Sequence, residues 1–174
     1  MSIEKKPLTE KEFDKILQIA TRTSEEARKV VLFLRFTGMH VSVLAEPDKY
    51  NLRIEDDEIK WDRPKKKGKV AYTSIPISKH LDFDIDDFID DLSGRKRKGS
   101  RQYFYELVKG LSEKAGITDV SPMSLRHTIG VDMLNKGFDR FDVKQTLNCS
   151  DKVLQTYLKH STRTRKEKFK RLGW

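Results

Sequence analysis

A chain of 174 residues, 36% hydrophobic and 36% charged, holds enough apolar material for one domain with a lean core and a heavily charged surface. Its net charge of +9 favours a polyanionic partner, although a lysine-rich surface with no such partner has the same composition. A single cysteine, Cys149, excludes an internal disulfide; the four histidines lack metal-ligand spacing, and no apolar run approaches the ~20 residues of a membrane span. No metal site and no membrane partner are therefore expected. The opening segment MSIEKKPLTE lacks a signal-peptide core, and a cytoplasmic location is expected.

In chain order, LTEKEFDKILQIAT carries a helix start, with Thr9 as N-cap, Glu12 three residues on, and Leu8 with Phe13 spaced as a hydrophobic staple. Phe13, Ile16, Leu17 and Ala20 form its apolar face. A second helix is predicted from near Ser24 to Gly38, with Val30, Val31, Leu34 and Phe36 along it. Residues 50–77 change period: YNLRIEDDEIKW reads as two strands turning at Asp56–Asp57, and VAYTSIPI as another. Between them DRPKKKGK forms a basic turn punctuated by Pro64 and Gly68. DFDIDDFIDD holds six Asp, yet Phe83, Ile85, Phe88, Ile89 and Leu92 mark a short amphipathic helix. The basic loop GRKRKGSR follows, then helices near 101–115, 124–136, 140–147, 151–159 and 163–171, with stops at Gly116 and Gly137. From Lys159 to Arg171 there are seven Lys or Arg against one Glu. The expected fold class is mainly α with a small antiparallel β-sheet, in one domain over 1–174.

Four segments in this order resemble motifs of the tyrosine recombinase, or phage integrase, catalytic domain. RFTGMHVSVL is similar to the family's Thr-Gly-Leu-Arg-x-Ser-Glu-Leu segment, and RPKKKGKVAYTSIPI to its lysine-bearing β-hairpin. SPMSLRHTIGVDMLNKG resembles its Pro-His-x-Leu-Arg-His-Thr helix, and VKQTLNCSDKVLQTYLKHS its Leu-Gly-His-Ser…Tyr end. The resemblance covers nearly the whole chain. It implies DNA strand cleavage and rejoining through a 3′-phosphotyrosyl bond, with no metal or other cofactor and with double-stranded DNA as partner.

Such chemistry requires side chains to stabilise charge on the phosphoryl oxygens, a task suited to planar, permanently charged guanidinium groups. The resemblance assigns Tyr157 as nucleophile and Arg126 as the second phosphate-binding arginine. Read alone, Tyr157 is better taken as an aromatic on an amphipathic helix with Val153, Leu154 and Leu158, and only the surrounding motifs favour the nucleophile; it stands one residue nearer Cys149 than the family spacing. Lys65 is the expected leaving-group acid, with Lys66, Lys67 and Lys69 as competitors and DNA contacts. Arg95, Lys96, Arg97, Lys98 and Arg101 extend the expected basic surface. His127 matches a position that supports the helix.

Three pocket positions depart from the family pattern. His40 stands for the first arginine, Met123 for a histidine, and Cys149 for a histidine or tryptophan; Val43 replaces an acidic neighbour. A neutral imidazole cannot form a guanidinium fork, a thioether exchanges no proton, and a thiol is a weak donor. Losing one such donor costs on the order of 10² to 10³ in rate, and several losses need not multiply. The expectation is a recombinase with His40 and Cys149 still in its pocket and reduced activity; the alternative is a non-catalytic DNA-binding module of the same fold. The family's N-terminal core-binding domain is expected to be absent, and its exchange of C-terminal segments implies a homo-oligomer on DNA.

Overall fold

The computed structural model describes residues 6–63, 71–94, 100–161, 169–170 and 172–173. The first helix, α1 (Glu10–Thr23), begins where the sequence places it. Thr9 Oγ1 accepts from the Glu12 amide at 3.2 Å, and the Glu12 carboxylate accepts from the Thr9 amide at 3.0 Å. These reciprocal bonds satisfy two donors that a helix start leaves open. Ser24 closes α1 and caps α2 (Glu25–Thr37), accepting from the Ala27 amide at 3.0 Å. Val30, Val31, Phe33 and Leu34 are buried around α2, which is therefore a central rod. Gly38 ends it at φ +66°, a conformation that disfavours any Cβ.

A five-residue helix, α3 (Val41–Ala45), follows with His40 as its N-cap. Nothing local announces it, because five residues with two valines are too few to display helical periodicity. Val43 is buried, so the position where an acidic residue was expected lies in an apolar setting.

Asp56 and Asp57 turn the chain with φ of 55° and 59°. Two successive left-handed residues match the twist of the strands they join. β1 (Arg53–Glu55), β2 (Glu58–Asp62) and β3 (Tyr72–Pro76) form an antiparallel sheet in that order. Ile59 pairs with Ile75 and Trp61 with Thr73, and this face is buried. On the opposite face Lys60 is also covered, held by Asp56 at 3.2 Å and Glu55 at 3.4 Å.

Helix α4 (Ile85–Ser93) starts on the Asp84 cap and buries Ile85, Phe88, Ile89 and Leu92. Its Asp86 and Asp87 lie in the first turn, where the helix dipole favours negative charge. The remaining helices are α5 (Ser100–Lys114), α6 (Pro122–Lys136), α7 (Arg140–Leu147) and α8 (Asp151–His160). Gly137 ends α6 at φ 107°, as expected from its place in the sequence. The expected helix near 163–171 lies largely outside the described residues. No described helix is long and apolar enough to cross a membrane.

Helix α6 buries residues around almost its whole circumference and packs against α2, α5, α7 and α8. Thr128 on α6 accepts from the Leu8 amide at 2.8 Å and donates to the Ser124 carbonyl at 2.7 Å. The entry to α1 is thus pinned to the centre of the domain. Thr128→Val keeps the shape but leaves the buried Leu8 donor unsatisfied; it should lower unfolding stability by about 1–3 kcal/mol in urea titrations.

Candidate active site

Two turns and two helices bring the expected pocket residues together. Gly38 and His40 arrive on the α2–α3 turn, Arg126 and His127 on α6, and Cys149 and Tyr157 on the α7–α8 turn and α8. Asn148 closes α7 at φ 49°, reversing the chain so that α8 returns against α6. Lys144 reaches Asp151 at 2.7 Å and ties α7 to the start of α8.

Arg126 is the buried centre of this group, 4% exposed. One terminal nitrogen donates to the Gly38 carbonyl and the other to the Leu147 carbonyl. From sequence this guanidinium is a phosphate ligand, with a structural salt bridge as the alternative; its partners in the structure are backbone carbonyls that cross-link the ends of α2 and α7. Guanidinium has five N–H donors, so two carbonyl bonds leave others. Burial lowers the Arg126 pKa, while Tyr157 and Cys149 act to raise it.

Tyr157 is fully buried, and its hydroxyl lies 3.0 Å from His127 Nδ1. Its ring packs directly on α6 at Gly130, where a Cβ would stand 2.5 Å from the tyrosine ring. Burial pushes the Tyr157 phenol up to about 12, with Arg126 acting in the opposite direction. Burial likewise raises the Cys149 thiol against the pull of Arg126.

His40 has an exposed edge, yet enough protein surrounds its imidazole for desolvation to dominate its titration. Desolvation, then Arg126, Arg101 and His127, depress its pKa from 6.5 to about 4. It is therefore neutral at pH 7. Arg101 acts on it from the first turn of α5, a helix packed against α3. Met123 is half-buried one helical turn before His127.

Lys65, Lys66, Lys67 and Lys69 lie outside the described residues, as do Arg95, Lys96, Arg97 and Lys98. The strands flanking the hairpin lysines are described, however, and Arg63 fixes their base. It donates to Thr73 Oγ1 at 3.0 Å and to the Gln145 carbonyl at 2.6 Å, linking the hairpin to α7. Arg63 and Gly130 escaped sequence reasoning. Arg63 beside Pro64 reads as one more turn cation, and nothing local marks Gly130 as the seat of a distant ring. A separate concavity of about 830 Å³ opens between α1, α2 and α6, lined by Phe13, Arg35, Phe36, His80 and Asp132. None of the pocket residues above lines it, so the site is defined by its chemistry rather than by cavity size.

A helical domain with a three-stranded sheet, an arginine and a tyrosine sharing one buried pocket, and a hairpin docked beside it defines the tyrosine recombinase catalytic fold. The phage integrase family model matches residues 6–164, and the chain belongs to that family. Among curated relatives, tyrosine recombinase XerA of Pyrococcus furiosus is 30% identical, over 95% of this chain and 61% of its own length. The chain thus spans less than two thirds of that relative. Among solved structures, the XerH recombinase in a post-cleavage complex with palindromic difH substrate superposes with a TM-score of 0.68 at 17% identity. That match covers 90% of this chain and 50% of XerH. The catalytic domain of bacteriophage HP1 integrase gives a TM-score of 0.61 at 18% identity, covering 96% and 95% of the two chains. At such identities the likeness is one of fold.

Two outcomes follow from this geometry. Between pH 6.5 and about 4 the unfolded chain binds a proton at position 40 that the folded chain does not, so this histidine's contribution to stability is full above 6.5 and declines as pH falls through that window. An NMR titration should place the His40 midpoint near 4 in the free protein, and His40→Gln should flatten the acid limb of stability against pH. Gly130→Ala should force the Tyr157 ring from its seat, lowering stability by about 1–3 kcal/mol in thermal unfolding and exposing the phenol to solvent.

Proposed function

We propose that this chain is the catalytic domain of a DNA recombinase or integrase that cleaves and rejoins DNA through a 3′-phosphotyrosyl intermediate. The observation carrying this reading is the convergence of His127, Arg126 and Cys149 on the Tyr157 side chain, with His40 within reach of Arg126 and His127. Tyr157 is the nucleophile. Arg126 holds the scissile phosphate with the donors that its two carbonyl bonds leave, and those bonds fix the guanidinium in place before DNA arrives. Lys65 on the hairpin protonates the leaving 5′-oxygen, and Arg63 supports the hairpin that carries it.

His40 and Cys149 line the phosphate site as weak donors. Neither supplies the charge of a second arginine, so strand cleavage is slowed rather than abolished. Double-stranded DNA is the partner. Arg101, the hairpin cations Lys66, Lys67 and Lys69, and Arg95, Lys96, Arg97 and Lys98 bind its backbone, making affinity steeply salt-dependent. On DNA the chain assembles with further copies through the segment after α8, which departs from Ser161, bonded to Asn135 at 3.0 Å.

The test is a nicked suicide duplex that loses the short strand after cleavage. Wild-type protein should accumulate a covalent adduct that is absent in Tyr157→Phe. His40→Arg should raise the adduct rate by about 10-fold or more, in the range that one phosphate donor supplies. Salt-dependent duplex binding without any adduct, in wild type and His40→Arg alike, overturns the catalytic reading.

A further inference from the structure

We infer that the imidazole of His127 is the base that receives the phenolic proton of Tyr157 as the tyrosine oxygen attacks phosphorus, an assignment that rests on the recombinase reading above. The two groups already meet, with Nδ1 3.0 Å from the hydroxyl oxygen and the rings edge to face at 5.3 Å between centroids. Both side chains are buried, the histidine 7% exposed and the tyrosine 0%, so bulk water is a poor competitor for the proton. A phenol raised by burial needs such an acceptor more than an exposed one does.

Helix α6 presents the required parts on one face. His127 and Gly130 are three residues apart, so the acceptor and the bare backbone that seats the phenol ring are neighbours. Arg126 precedes the histidine and holds the carbonyls that close the pocket. Met123 lies one turn earlier on the face of His127 and bears no basic atom. The imidazole at 127 is thus within hydrogen-bond reach of the nucleophile while the side chain one turn away offers only a thioether.

The Tyr157 proton passes to Nδ1 while the bond from phenolic oxygen to phosphorus forms. The phosphorus–O5′ bond breaks, and the leaving oxygen takes its proton from a separate acid, assigned above to Lys65. Rejoining runs in reverse and returns the proton from Nδ1 to the phenolic oxygen. The imidazolium formed in cleavage has Arg126 beside it on its own helix and His40 within electrostatic reach, with Arg101 of α5 acting on that same neutral histidine, and the phosphate charge offsets the two arginines.

The experiment pairs nitrogen NMR of the wild-type chain with adduct kinetics. At neutral pH the resonance of His127 Nδ1 should be that of an unprotonated ring nitrogen; a protonated Nδ1 overturns the proposal without any DNA. On the nicked duplex, His127→Asn retains an acceptor near the Nδ1 position but cannot hold a proton. Its adduct rate should fall by about 10²- to 10⁴-fold and keep rising with pH where wild type has levelled. A substrate with sulfur as the 5′-bridging atom, which leaves without a proton, should restore activity to Lys65→Ala but not to His127→Asn. Wild-type rate and pH profile in His127→Asn, or its rescue by the sulfur substrate, overturns the base assignment while leaving the recombinase reading intact. Absence of adduct in wild type and His40→Arg alike overturns both.

Discussion

Arg126 is where three distant elements meet. Its guanidinium joins the carbonyl after α2 to the carbonyl that ends α7, from a side chain rooted in α6. A buried cation is unfavourable unless its donors are satisfied, and here backbone carbonyls perform that service. The same bonds that make burial tolerable also determine where positive charge sits. The pocket is therefore a by-product of solving a solvation problem inside the core, with the hairpin and α8 arranged around a fixed point.

Much of the fold was legible because local physics and global packing agree. Thr9, Glu12 and Ser24 announce helix ends through hydrogen-bonding side chains, and Gly38 and Gly137 through φ values. Asp56–Asp57 mark a turn between alternating residues. The helix α3 was invisible because it is too short for a pattern, existing where the chain leaves Gly38 and must pack against α5. Of the pocket, His40, Arg126, Cys149 and Tyr157 were nameable from ordered motifs, but the carbonyl bonds of Arg126 and the histidine partner of Tyr157 were not. The contact of His127 with Tyr157 spans 30 residues, and no local rule links a histidine to a phenol at that separation.

The substitutions acquire meaning once the surroundings are visible. Two arginines already act on the neighbourhood of residue 40, and the neutral imidazole there adds no third repulsive charge in the free protein. Val43 belongs to the core in which it is found. Position 40 adds no permanent charge to those of Arg126 and Arg101, and the phenol beside them is buried.

One glycine has consequences beyond its own position. Because the Tyr157 ring occupies the space that a methyl group at position 130 would fill, the two residues form a single unit of inheritance. Any descendant sequence that enlarges residue 130 must rehouse the aromatic ring, and one that discards the ring leaves a hollow against α6. Selection on either site is thereby felt at the other, and drift at this seam proceeds in pairs.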